Sequence, residues 1–181
     1  MSGSSLVKIA ETTVGTGVAT FDIGGADWDS SYDVYKVVLN NIQLTSTTDD
    51  ARINCRVLKS DNSPDTTSNY DYAFTGFRGS TSSFDNLPDQ NTDKFQNFNY
   101  LFRGGTGFGS NGVLYLFNFN NASEYNFVTV EMNSFGYDGD ELMGTAGGGV
   151  HTVAQVSKGL RFSLTSSTYA GGKCVLYGLN K

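Results

Sequence analysis

One histidine, two cysteines and 18 acidic residues are the groups in this 181-residue chain from which reactive chemistry could be built. The histidine is His151, in "GGGVHTVAQ". A Ser-His-Asp relay needs a histidine held beside a nucleophile. Ser and Asp are plentiful, but no G-x-S-x-G elbow is present, and nothing marks a partner for His151. It reads as a structural or surface residue. Cys55 and Cys174 lie far apart in apolar segments. A disulfide between two strands is one reading; buried free thiols is the preferred one. With one His and two distant Cys, no zinc pattern forms.

The acids cluster as Asp27, Asp29 and Asp33, as Asp49 and Asp50, and as Asp138, Asp140 and Glu141. The last group, in "YDGDEL", has oxygen donors of the kind calcium takes from flexible loops. It lacks the twelve-residue EF-hand pattern, and solvated acidic turns are the plainer reading. No pair of acids stands out as the two carboxylates of a glycoside hydrolase. "GTAGGGV" (residues 144–150) has the glycines of a phosphate-binding loop but not the Lys-Ser/Thr or the βαβ setting. In a β protein such a run lets two backbones or two subunits approach closely, or forms a bulge. Trp28, in "GGADWDSSYD", either stacks on a sugar ring or plugs one end of a sandwich; the plug is preferred. No catalytic, cofactor-binding or metal residue is assigned, and the chain is read as a non-enzyme.

The elements that would carry these residues are strands. Thirteen Phe, 10 Tyr and 22 Gly against 2 Pro, with many Ser, Thr and Asn, favour strands joined by turns. "LVKIA" (6–10) and "VATFDI" (18–23), with Gly15 and Gly17 between them, predict a hairpin. "YDVYKVVLNNIQL" (32–44) puts Tyr35, Val37 and Leu39 on one face. "ARINCRVL" (51–58) turns Ile53, Cys55 and Val57 inward and Arg52, Asn54 and Arg56 toward water. "FVTVEM" (127–132) and "GLRFSL" (159–164) alternate in the same way. Nine to eleven strands with turn signals between them, and no strand-helix alternation, predict an all-β fold: a single antiparallel, jelly-roll-like β-sandwich domain over residues 1–181.

Residues 59–112 read differently. They are polar but rich in aromatics, which excludes disorder. They predict one or two strands, "YDYAFTGF" and "FNYLF", carrying long loops, as a loop-rich insertion. Two other strands are apolar on both faces. "VLYLFNF" (113–119) has Val113, Tyr115, Phe117 and Phe119 on one side and Leu114 and Leu116 on the other. The end of the chain, "KCVLYGL" (173–179), has Cys174, Leu176 and Gly178 on one side and Val175, Tyr177 and Leu179 on the other. A sandwich core takes only one face of a strand. The second faces meet either the aromatic mid-chain loops or another subunit.

A net charge of −6 repels phosphate backbones, so nucleic acid is not an expected partner. No run approaches the ~20 apolar residues of a membrane span, and the first residues do not read as a secretory signal.

Taken together, "YDVYKVVLNNIQ" (32–43), "SNGVLYLFNFNNAS" (110–123), "GTAGGG" (144–149) and "GGKCVLYGLNK" (171–181) resemble a family of virion proteins of tailed bacteriophages, marine and cyanobacterial ones among them. That family has an early aromatic strand ending in "NI", a mid-chain "G.L.LFN" strand, and a last strand finishing "LYGI" or "LYGL". The resemblance keeps the motif order over most of the chain and departs most over 59–112. It implies a jelly-roll-like sandwich on the virion surface: a capsid-decoration protein, a head or tail fibre, or a tail-associated protein. It would be made in the host cytoplasm and contact other virion proteins as a homo-oligomer, a trimer among the options. It implies no catalytic residues. The alternative reading is a carbohydrate- or host-receptor-binding module whose partner is a host surface glycan, held by Trp28 and the mid-chain aromatics.

Overall fold

A computed structural model describes residues 5–47, 51–80, 84–98, 108–135 and 141–179. Asp49, Asp50, Asp138, Asp140 and residues 99–102 of "FNYLF" lie outside these spans. Among the described residues the chain forms eleven strands: β1 (Leu6–Thr13), β2 (Thr20–Gly24), β3 (Val34–Leu44), β4 (Ile53–Lys59), β5 (Tyr70–Arg78), β6 (Phe84–Thr92), β7 (Ser110–Phe117), β8 (Asn126–Phe135), β9 (Leu142–His151), β10 (Ser157–Leu164) and β11 (Tyr169–Leu179). All pairings are antiparallel. One sheet has eight strands in the order β1-β11-β3-β7-β8-β9-β5-β6, and the other has three, β2-β10-β4. The chain passes between the layers at every connection from β1 to β5, and again on either side of β10.

The alternation of each strand decides what lies between the layers. β8 is the cleanest case: Val128, Val130 and Met132 are buried, while Phe127, Thr129 and Glu131 between them are exposed. Leu160 and Phe162 of β10, Ile53, Cys55 and Val57 of β4, and Tyr35, Val37 and Leu39 of β3 meet them in one core. On β3 the alternation is reset: Asn41 takes φ 50° and the register shifts between Leu39 and Ile42, so Ile42 and Leu44 also turn inward. Burying each large apolar side chain of this kind stabilises by about 1.5–3 kcal/mol.

The structure corrects the expected hairpin. β1 and β2 do not pair with each other: β1 pairs β11 in the large sheet, and β2 pairs β10 in the small one. The Gly15–Gly17 turn carries the chain between layers. It is held by the first residues of β11, with Val14 N–H donating to Gly172 O and Gly17 N–H to Tyr169 O. Turn residues report a reversal of the chain, not which strand receives it.

Residues 59–112 also differ from the expected loop-rich segment. β5 is where "YDYAFTGF" placed it, but β6 was not foreseen. Pro88 and a run of polar side chains conceal β6, and it is a largely exposed edge strand, the place where a sheet tolerates Pro. The wet face expected for β4 is only partly wet. Residues 93–98 run along its free edge, with Phe95 and Cys55 exchanging backbone hydrogen bonds and Phe98 N–H donating to Ile53 O. Asn54 is thereby buried, and Arg56 and Arg52 are half-buried, Arg56 bonded to Asp93 and Arg52 to Asn97. The segment thus covers an edge that would otherwise present unpaired backbone groups.

Candidate functional site

His151 ends β9 in the interior. Its Nε2 lies 3.2 Å from Asp65 Oδ2, with the imidazole fully buried, and neither ring nitrogen is aligned for a hydrogen bond. The Tyr70 ring packs beside it, and Asp65 accepts hydrogen bonds from the Thr67 backbone and hydroxyl. Burial holds the His151 pKa below its ordinary value, outweighing the pull of Asp65. For Asp65 burial acts upward, but the Thr67 hydrogen bonds and His151 win and leave it lowered. The pair has the residue types of a proton relay, but it is sealed into the core as a structural pair.

Cys55 and Cys174 are free and buried, as the preferred reading held. Burial pushes both thiols well up, which suppresses the reactive thiolate.

Trp28 is the plug. Its ring sits on Tyr35 at 3.9 Å between centroids and near Phe119, and its Nε1 donates to Asn120 Oδ1. Asn120 in turn donates to the Tyr32 carbonyl and the Tyr35 hydroxyl. The indole face is thus taken by protein and does not offer a sugar platform.

The glycine run lies inside β9, hydrogen-bonded on both sides to β8 and β5, so its amides serve the sheet and not an anion. Two of the glycines make room for a ring, while Gly147 backs onto the β5 backbone at Ala73 and Phe74 and Gly148 stays open on its outer side. A Cβ at Gly149 would collide with Phe95, and one at Gly144 with Phe77. The sequence implied a close approach of two backbones or two subunits; at Gly144 and Gly149 it is ring side chains of the same chain that take the space.

Of the acidic cluster at 138–141, only Glu141 is described. It accepts a hydrogen bond from Ser80 N–H and lies 4.0 Å from Arg78, and the Ser80 bond chiefly holds its pKa down. Asp29 caps Ser31 N–H in a turn. Among the described residues no three His, Cys, Asp or Glu side chains gather as a metal site.

Among the described residues, the surface left open to a partner is the outer face of the eight-stranded sheet. The register lines its residues up in rows across the strands. One row runs Tyr177, Lys36, Tyr115, Thr129, Gly148, Ala73 over β11, β3, β7, β8, β9 and β5. A neighbouring row runs Val175, Val38, Val113, Glu131, Ala146, Thr75. Toward the other end stand Val34, Phe117, Phe127 and Val150. The doubly apolar strands are explained here. Leu114, Leu116, Cys174 and Leu176 face the core, and the opposite set, Val113, Tyr115, Phe117, Tyr177 and Leu179, stays half-exposed on the outside, while Val175 of that set is buried. Phe119 departs from the expected outward set: Asn118, at φ 63°, turns the chain and buries it. Phe127 is 45% exposed and Leu142 54%.

Two hollows open on this face. One, of about 630 Å3, lies over Val113, Glu131 and Ala146, with Phe77 and Leu142 at its edge. The other, of about 450 Å3, lies over Gly148, walled by Phe127, Thr129, Asp71 and Gln90. Both lie where β9 carries Gly148 and Ala146, with Ala73 and Thr75 of β5 beside them. Lys36 lies over the Tyr115 ring at 5.9 Å. Alternation alone identifies the outward residues of β8 and β11. Their grouping depends on which strands pair, and no local pattern encodes that.

The fold is an antiparallel β-sandwich, one sheet of which presents an outer face that the other described residues leave open. In comparisons with known proteins the chain matches no family model, no curated protein and no solved structure.

Proposed function

We propose that this chain is a non-enzymatic bacteriophage virion surface protein, of capsid-decoration, head-fibre or tail-associated type, that works through protein–protein contacts on the particle. The observation that carries this reading is the outer face of the eight-stranded sheet, where Val34, Tyr115, Phe117, Phe127 and Tyr177 lie together at the surface. Contiguous apolar patches of this kind are rare on free-standing proteins and mark interaction sites. Covering one with another protein stabilises by about 25 cal/mol for each Å2 removed from water. The resemblance of the motif order to that of tailed-phage virion proteins supplies the setting. The test is purified particles of the encoding phage. Mass spectrometry should find the chain in stoichiometric amount, and electron-microscopy density should hold the sandwich on the particle surface. Its absence from particles would overturn the reading.

A second reading, a glycan-binding module, draws on the hollow over Gly148, where Asp71, Gln90 and Thr129 stand beside the exposed Phe127 ring. Aromatic faces with a few polar groups suit sugars. A glycan array with host-type sugars tests it, and no binding across the array would remove it.

A further inference from the structure

Resting on the reading of the outer face as a protein contact, we propose that its occupant is a second copy of this chain, packed face to face about a two-fold axis that runs along β7. The strand order makes β7 the centre, with β3, β11 and β1 on one side and β8, β9 and β5 on the other before β6. Such an axis lays β3 of one copy over β8 of the other, and β11 over β9. Within the registered rows, Tyr177 then comes over Gly148 of the second copy, at the hollow of about 450 Å3. The ~30° turn between packed sheets shifts facing residues at this distance from the axis by less than one row. The next outward residue along β9 is Ala146, which is also small, so the tyrosine meets a low floor in either case.

Charge selects the same occupant. Lys36 stands on one side of β7, and Glu131 and Asp71 stand on the other. A partner of uniform sign would satisfy one half of the face and repel the other half. A two-fold copy satisfies both, because Lys36 faces Thr129 of the second copy, one row from its Glu131, and an isologous interface makes each contact twice. The apolar residues that share the rows with these charges supply the buried area.

Sedimentation equilibrium of the purified chain tests the arrangement, with circular dichroism confirming that each variant is folded. The wild type should dimerise. Lys36→Glu and Glu131→Lys should each weaken the dimer by about tenfold or more, and the double swap should restore it. Tyr177→Ser, which removes only the knob, should weaken it independently. A wild type that stays monomeric at millimolar concentration overturns the proposal, as does a dimer indifferent to all these changes. A monomer whose Gly148 hollow retains a glycan on the array assigns the site to that other occupant and overturns it as well. Finding the chain on particles while it is monomeric in solution would sink the second-copy proposal and leave the virion reading standing.

Discussion

Gly178 and Tyr32 illustrate how tightly single positions are set. A Cβ at Gly178 would be driven into the Tyr32 ring, which packs against the core beside Tyr35. Gly178→Ala should therefore destabilise by about 1–3 kcal/mol, the usual cost of overpacking, read as a lower urea midpoint at unchanged slope. His151 gives a pH-dependent counterpart. Its pKa is lower in the folded chain than the ordinary 6.5. The unfolded state therefore binds more protons once the pH drops below about 6.5, and stability must fall with acidification. Asp65, also lowered, adds a loss in the same direction below its ordinary 3.8. Urea midpoints measured from pH 7.5 down to 5 should decline, and His151→Asn should flatten that decline. A flat wild-type profile would refute the buried neutral histidine.

At the scale of elements, β11 is the strand on which the large sheet depends, because it lies between β1 and β3 and bonds to both. Removing residues 175–181 unpairs β1 and exposes the flank of β3. The truncation should not fold, and a soluble product with a cooperative melt would contradict this. β7 tests the assignment of faces. Leu116 is fully buried and Val113 is outward. Leu116→Ala should cost about 2–5 kcal/mol, whereas Val113→Ala should change stability by less than about 1 kcal/mol. Equal costs would mean that the outer face is covered within the monomer. β6 shows what pattern reading misses. A solvent-exposed edge strand needs no apolar alternation, so only its pairing with β5 reveals it.

At the scale of the molecule, eight strands face three, and this inequality shapes the surface. The small sheet and residues 93–98 supply the core with Phe162, Ile53, Phe95 and Phe98 from one side only, and among the described residues none covers the large sheet's outer face. With a net charge of −6, copies repel at long range, and in the proposed face-to-face dimer they attract only at short range through the face itself. Added salt should therefore favour association until it screens the Lys36–Glu131 pairs. Light scattering between 20 mM and 500 mM salt should show a larger oligomeric fraction at the intermediate concentrations than at the lowest.

By itself the sequence determined the all-β class and the inward faces of β4, β8 and β10, and it preferred, without deciding, buried free cysteines and Trp28 as a plug. Each of these follows from local alternation, side-chain size or turn chemistry, which act over a few residues. It also posed the right question about the doubly apolar strands β7 and β11. Only the tertiary structure decided that β1 leaves β2 for β11, that β6 exists, that His151 is sealed against Asp65, and that Tyr177, Lys36, Tyr115, Thr129 and Gly148 form one row. These depend on which strands pair and in what register. Pairing joins residues far apart in the chain, and the hydrogen bonds that enforce it are made by backbone groups that every residue but proline shares.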